Sequence, residues 1–495
     1  MGVDMERYNL VVIGAGSGGL VVAAGGASLG ARVALAEKHV LPFAPEGGAP
    51  VRGMGGDCLQ YGCVPSKALL AAAKAVQAAR GAARFGIRGV GDPGPQDLGP
   101  VMDRVRSAQA AIAPNDSVER FTGLGVDVLL GTGRLKSAHE VEVNGTTVWG
   151  RHVVLATGSR ARIPGVPGLA EAGYLTNETV FDLTALPGHL LLMGGGPIGV
   201  ELGQAFRRLG SDVTIVSSTP LVCPKEDEDV AGVLESRLRA EGVAIHDRAR
   251  ASKVTVRNGR KVVTVAPSAG PEFDVEADEI LVAAGRRPNV EGLGLEAAGI
   301  AFSEKGVTTD AKCRTNVPSV WAIGDVAGPY LFTHWAGYQA GIVLRNTLSP
   351  VALATSDVAN TPWITYTDPE IARVGLSEKD AKAQGIPHRV FRAGFAHNDR
   401  AICDGTGGEN FMKVLADPKG RILGAAIVHP HAGDLLGEVV LAKKNGLPLS
   451  ALGSVIHAYP SLSEIHGAVA REALKATLTP GKKAFLAKLA AFLRR

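Results

Sequence analysis

Tyr8-Asn9-Leu10-Val11-Val12-Ile13-Gly14-Ala15-Gly16-Ser17-Gly18-Gly19 sets a short apolar run directly against a glycine-rich turn. The run reads as a strand buried in a parallel sheet. The turn has the spacing G-x-G-x-x-G, which lets a backbone approach a pyrophosphate at the N-terminus of the next helix. That helix reaches about Leu29. A second strand, 32–36, ends at Glu37, whose carboxylate can accept hydrogen bonds from a ribose hydroxyl. From Leu10 to Ala31 there is no charge, a length that would span a bilayer. Seven glycines interrupt it, and their order fits strand–turn–helix instead.

The unit recurs. Residues 190–193 read as a strand, Gly194-Gly195-Gly196-Pro197-Ile198-Gly199 as its turn, and 212–216 as the second strand. Each unit is closed by an apolar run ending in glycine, at Gly158 and at Gly285. One such turn is weak evidence; two complete βαβ units in one chain predict two dinucleotide sites. The fold class expected is α/β.

Between the strands of the first unit lies Gly55-Gly56-Asp57-Cys58-Leu59-Gln60-Tyr61-Gly62-Cys63-Val64-Pro65-Ser66-Lys67. Residues five apart on a regular helix sit roughly 8 Å or more apart, and a disulfide needs Cα atoms about 4.4–6.8 Å apart. Cys58 and Cys63 can therefore pair only across a distorted turn, for which Gly62 offers backbone freedom. Pro65 suits the first turn of a new helix, which leaves Cys63 beside a helix N-terminus, where a thiolate is favoured. The segment reads as a redox switch; the plainer alternative is two buried cysteines in a glycine-rich loop.

The 495 residues allow two to four domains, and a net charge of +4 gives no basic field for nucleic acid. Five cysteines, three of them scattered at Cys223, Cys313 and Cys403, suit a reducing compartment with one cycling disulfide. No signal peptide is evident, so a cytoplasmic location is expected. A helical stretch from about 65 to 121 is inserted in the first unit, with a surface loop at 89–100. The stretch 315–325 reads as a strand ending on Asp325, 350–357 as a linker, and 411–415 and 422–428 as strands of an antiparallel sheet followed by helices.

Both glycine turns, the C-x4-C-V-P-S-K segment, Gly285-Arg286-Arg287-Pro288-Asn289 and Ala322-Ile323-Gly324-Asp325 together resemble the class I pyridine nucleotide-disulfide oxidoreductases, the family of glutathione reductase, dihydrolipoamide dehydrogenase and mercuric reductase. The resemblance runs from about Tyr8 to about Lys475. It implies a homodimer with two Rossmann-like domains and a C-terminal α+β interface domain. The expected extents are 1–162 and 287–350 for FAD, 163–286 for NAD(P), 351–475 for the interface, and 476–495 for a basic tail. It implies that Gly14, Gly16, Gly19, Glu37, Gly158 and Asp325 serve FAD, and that Gly194, Gly196, Gly199 and Gly285 serve the nicotinamide side. Lys67 and Glu201 match the family's ion pair beside flavin and nicotinamide. Hydride from NAD(P)H would pass through FAD to the disulfide, with Cys63 as the charge-transfer sulfur and Cys58 as the exposed interchange thiol. Ser217 and Ser218 follow the strand 212–216 where a carboxylate would clash with a 2′-phosphate. That points to NADPH, with Lys225 in sequence reach and NADH as the alternative.

The family's disulfide reductases carry His-Pro-Thr-x-x-Glu near the C-terminus. Here the segment is His457-Ala458-Tyr459-Pro460-Ser461-Leu462-Ser463-Glu464, so Glu464 keeps its place and Tyr459 stands at the histidine. A phenol, with a pKa of about 10, is a poor acid–base group at neutral pH beside an imidazole at about 6.5. His457 stands seven rather than five positions before Glu464 and reads as structural. Mercuric reductases also place tyrosine there, and Asp57, threonine in many relatives, points the same way. Those enzymes usually also carry a cysteine pair near the C-terminus and an N-terminal metal-binding domain; here the last cysteine is Cys403, and neither feature is expected. The expected acceptor is a metal ion or other small molecule, most like mercuric ion. A dihydrolipoamide dehydrogenase and a redox-sensing flavoprotein with little turnover are the alternatives. No resident metal site is expected. The proline- and glycine-rich stretch between Glu37 and Met54 looks long for the family. In the tail, Phe485, Leu486, Leu489, Phe492 and Leu493 share a helix face ringed by lysine and arginine. Docking on the protein itself or simple solvation is expected ahead of contact with an anionic membrane.

Overall fold

The structure, a computed structural model, describes residues 5–494. It divides into two compact units, one formed by the chain up to 218 with 242–356, the other by 219–241 with the chain from 357.

In the first unit, β1 (Arg7–Ile13) lies parallel to β2 (Val33–Glu37) on one side and to the end of the strand Thr146–Leu155 on the other. Val126–Leu130 extends the sheet beyond β2, and Val320–Ala322 beyond Thr146–Leu155. Leu10, Val11 and Val12 are fully buried. Both faces of β1 are therefore covered, which is why it reads as a continuous apolar run rather than an alternating one. The stretch 10–31 is β1 and α1 (Ser17–Ser28). Among the described residues no helix is long and apolar enough to cross a membrane.

The second βαβ unit is a parallel sheet ordered Ala244–His246, Asp212–Val216, His189–Met193, Glu279–Val282. A three-stranded antiparallel sheet, Ala249–Arg257, Arg260–Pro267 and Phe273–Ala277, follows the strand Ala244–His246 in the chain. The fold class is the expected one: mixed α/β with two dinucleotide-type halves and a C-terminal α+β part.

Two local readings change. The insert is helical and interrupted as expected, with α3 (Cys63–Arg80) and a helix Leu98–Ile112 separated by irregular chain. The surface loop ends at Asp97, whose side chain accepts the Gly99 amide, so Pro100 lies in a helical first turn where its missing N–H costs nothing. The stretch between Glu37 and Met54 folds back as an antiparallel pair, Leu41–Phe43 with Val51–Gly53.

The second unit is built on a five-stranded antiparallel sheet ordered 362–365, 370–375, 422–429, 411–416, 389–394. Helices Ala432–Lys444 and Glu464–Thr477 cover it. Lys413, whose side chain is 3 % exposed, reaches Asp227, Asp229 and Glu378 at 2.9–3.0 Å and pins the segment 219–241 to this sheet. The tail forms a helix, Pro480–Phe492, with no buried residue. Phe485, Leu486, Leu489, Phe492 and Leu493 are exposed, so in this chain the apolar face docks on nothing among the described residues.

Candidate active site

The first glycine turn closes tightly. Gly14 has φ +103°, and a Cβ there would lie 2.5 Å from the Ala156 carbonyl oxygen; at Gly19 it would lie 1.8 Å from the Gly14 oxygen. Gly16, by contrast, faces open space, with nothing within 4 Å of such a Cβ. It is the N-cap of α1 and makes no side-chain cap bond, so the first-turn amides point outward. The second turn repeats this: Gly194 and Gly199 are closed in by backbone, Gly196 faces open space, and the helix Pro197–Leu209 starts with no side-chain cap. These are two cradles that a diphosphate fits. Glu37 is buried and takes the amides of Ala15 (2.6 Å) and His39 (2.7 Å), which fixes its carboxylate beside the first turn. Gly158 and Gly285, at φ +67° and +105°, hold open turns after their apolar runs.

The cysteine segment is two helices meeting at a bend. Cys58 lies in α2 (Gly56–Gln60) and Cys63 opens α3. Gly55 (φ +79°) and Gly56 (φ +55°) are left-handed, and Gly62, at φ −124° and ψ −111°, also takes a backbone conformation that glycine favours. Gly62 is needed for space, since a Cβ there would lie 2.9 Å from the Asp57 oxygen. At Gly56 a Cβ would meet the Gly16 Cα at 2.9 Å, so the cysteine helix sits directly against the first glycine turn.

Both cysteines are free thiols. A hydrogen bond from Cys58 is the largest influence lowering the Cys63 thiol, to about 6; burial opposes it, while the Thr333 hydroxyl and the Lys67 ammonium add to the lowering. Cys63 Sγ lies 3.3 Å from Thr333 Oγ1. Cys58, the donor, is pushed far up, first by that same bond and then by burial. The thiolate therefore belongs on Cys63, in the first turn of α3. In the single chain Cys58 is half-buried, in the short α2 beside Ser17 and Thr333, and Cys63 is exposed.

Lys67 Nζ donates to Glu201 Oε2 at 2.7 Å. The Glu201 side chain is 7 % exposed, so this pair joins α3 to the helix of the second glycine turn. Arg286, also nearly buried, bonds the Ser159 hydroxyl at 2.7 Å and lies 3.2 Å from Asp57 and 3.7 Å from Asp325. Asn177 donates to Asp57 at 2.8 Å. Burial pushes the Asp325 carboxyl up, while the Ser159 hydroxyl at 2.5 Å and Arg286 hold it down. Thr333, Asn177 and Ser159 carry no sequence signal, since each reaches the site only through tertiary packing. Arg286 and Asp57 stand inside motifs quoted from the sequence, but only the structure pairs them.

In the other unit, the Tyr459 hydroxyl donates to Asp399 at 2.9 Å, and this bond holds the phenol above its usual range. Tyr459 is 72 % exposed. Glu464 does not bond Tyr459; it accepts the Ser461 amide at 3.2 Å. His457 is turned away, its Nε2 3.1 Å from Glu438. Lys225 lies in this unit, where its carbonyl accepts from Arg373 at 2.6 Å.

Residues 8–347 match the family model described as pyridine nucleotide-disulphide oxidoreductase, and 361–469 match the dimerisation domain of that family. A dihydrolipoyl dehydrogenase of Thermus scotoductus is 36 % identical over 93 % of this chain and 96 % of its own length. A mercuric reductase of Streptomyces lividans is 34 % identical over 92 % and 94 %. Among solved structures, LpdA of Mycobacterium tuberculosis is similar with a TM-score of 0.82 and 28 % identity, covering 94 % of this chain and 99 % of that one.

Proposed function

The chain belongs to the pyridine nucleotide-disulphide oxidoreductases, and within that family we propose that it passes electrons from NADPH to a soft metal ion held by Cys58 and Cys63. Family members use FAD and NAD(P)H, and the matched dimerisation domain supports a homodimer. The residues fit FAD: an open cradle at Gly16, uncapped amides at α1, and Glu37 and Asp325 fixed at its edges. FAD held there would supply a hydride-accepting centre able to pass an electron pair on to the Cys58–Cys63 disulfide. The chain's own part is to hold charge. Thr333 and Lys67 stabilise the Cys63 thiolate, and Glu201 holds Lys67 in place.

Tyr459 carries the choice of acceptor. Disulfide exchange expels a thiolate that needs a proton as it leaves. A phenol whose proton is committed to Asp399 and whose acidity is lowered by it is a poor donor. A soft ion bound by two thiolates needs none. With mercuric ion the balance is NADPH + Hg²⁺ → NADP⁺ + H⁺ + Hg⁰. Ser217 and Ser218 at the second strand's end set no carboxylate against a 2′-phosphate, which supports NADPH.

The second reading, dihydrolipoamide oxidation, is favoured by several relatives of 34–36 % identity that carry the name dihydrolipoyl dehydrogenase. NADPH oxidation by the holoenzyme with Hg²⁺ in excess thiol, lipoamide and oxidised glutathione separates the two. Metal-dependent turnover without disulfide turnover is expected. Fast lipoamide turnover overturns the proposal, and so does no turnover with any acceptor, which would leave a redox sensor.

A further inference from the structure

Three side chains outside the redox site converge in the second unit: Glu438 on the helix Ala432–Lys444, His457 just ahead of Tyr459, and His466 in the first turn of the helix Glu464–Thr477. One ligand atom from each lies within 4.8 Å of the others. His457 Nε2 is 3.1 and 3.2 Å from the two Glu438 oxygens, and His466 Nδ1 is 3.3 Å from Glu438 Oε2. Ligands at about 2.0–2.1 Å around a tetrahedral zinc ion stand about 3.3 Å from each other, so two of the three edges already have the length an ion would impose.

The His466 ring supplies a second argument. It is buried, and its Nε2 lies 2.9 Å from the Leu435 carbonyl oxygen, to which an N–H donates. That is the outer bond by which metal-binding histidines are oriented. It leaves Nδ1 as a lone pair facing the Ser463 oxygen at 2.9 Å and Glu438 Oε2 at 3.3 Å. A lone pair against two oxygens is repulsive, so a cation belongs there. A proton would satisfy one oxygen. A metal ion would also use His457, which is poised almost evenly between both oxygens of Glu438.

We propose that Glu438 Oε, His457 Nε2 and His466 Nδ1 bind one divalent transition-metal ion of the zinc class. Two imidazoles and a carboxylate are the donor set such ions take, with a fourth position left for solvent. The ion would tie two helices to the segment that presents Tyr459, and this is separate from the electron acceptor at Cys58 and Cys63.

The test is zinc binding by the full-length FAD-bound protein in a Cys58→Ser/Cys63→Ser background, so that the redox thiols take no metal. Isothermal titration with ZnCl₂ and metal analysis after dialysis should give one zinc per chain. Glu438→Gln and His457→Gln, both at partly exposed positions, should each weaken binding about 100-fold or more, and His466→Gln should do the same. The proposal fails if the parent protein retains no zinc at about 100 µM metal, a concentration that fills ordinary three-ligand protein sites. It fails equally if zinc binds with unchanged affinity in Glu438→Gln and His457→Gln, which would place it elsewhere, for example on the exposed Cys403.

Discussion

Replacing Thr333 by valine should raise the pH at which Cys63 ionises while leaving the shape of the site intact. Cys63 is lowered from 9.0 to about 6. At pH 7 it is therefore about nine-tenths thiolate, against about 1 % for an unperturbed thiol. Its hydrogen bond to Thr333 spans 3.3 Å. A hydrogen bond to a charged group is worth at least about 1.5 kcal/mol, and one pH unit corresponds to about 1.36 kcal/mol. Thr333→Val should thus move the midpoint up by about one unit and cut the thiolate at pH 7 to about half. Cys58→Ala should move it further, because the Cys58 bond is the largest contribution. The sign is set by the direction of the shift: the reactive form is present above about pH 6 and is lost as pH falls through that value. The assay is the rate of iodoacetamide labelling of the pre-reduced holoenzyme across pH 4.5–9, with peptide mapping to assign the label to Cys63. A native midpoint above about 8, or coincident profiles for native and Thr333→Val protein, would refute this account of the switch.

Other substitutions probe the remaining parts. Gly16→Ala should leave unfolding of the flavin-free protein unchanged, because a Cβ meets nothing there. It should nonetheless weaken FAD binding by about tenfold or more, by standing in the path of the pyrophosphate. Gly19→Ala should impair folding itself, since its Cβ would fall 1.8 Å from a backbone oxygen; flavin content and thermal unfolding distinguish the two. Lys67→Met should cost about 1–2 kcal/mol in denaturant unfolding, less than for a fully buried pair because Lys67 is 36 % exposed while Glu201 is buried. Ser217→Asp should lower kcat/KM for NADPH by about tenfold or more while sparing NADH, by setting a carboxylate against the 2′-phosphate.

The two βαβ units were legible because apolar runs, glycine turns and closing glycines obey local rules at short range. Gly14 and Gly19 are glycine for reasons that a strand–turn–helix junction imposes on any chain. The bend between Cys58 and Cys63 was legible only in outline. Which glycines carry positive φ depends on how α2 rests on Gly16, a contact between residues forty positions apart. Thr333 and Asn177 were invisible for the same reason: a lone threonine or asparagine signals nothing until the fold carries it to Cys63 or Asp57. Tyr459 was legible as a departure from a motif, but its tie to Asp399 was not. His457 read as structural, and its place beside Glu438 and His466 emerges only from the packing of two helices.

The central claim is that Tyr459 keeps the Cys58–Cys63 dithiol from serving disulfides. It is tested most directly by comparing native and Tyr459→His holoenzymes in NADPH oxidation with lipoamide and oxidised glutathione, using Hg²⁺ in excess thiol as the control acceptor. Restoring an imidazole at this position should raise disulfide turnover by roughly 10²-fold or more, the usual worth of a positioned general acid–base, with metal-dependent turnover little changed. Fast disulfide turnover by the native enzyme, unaffected by Tyr459→His, would contradict it.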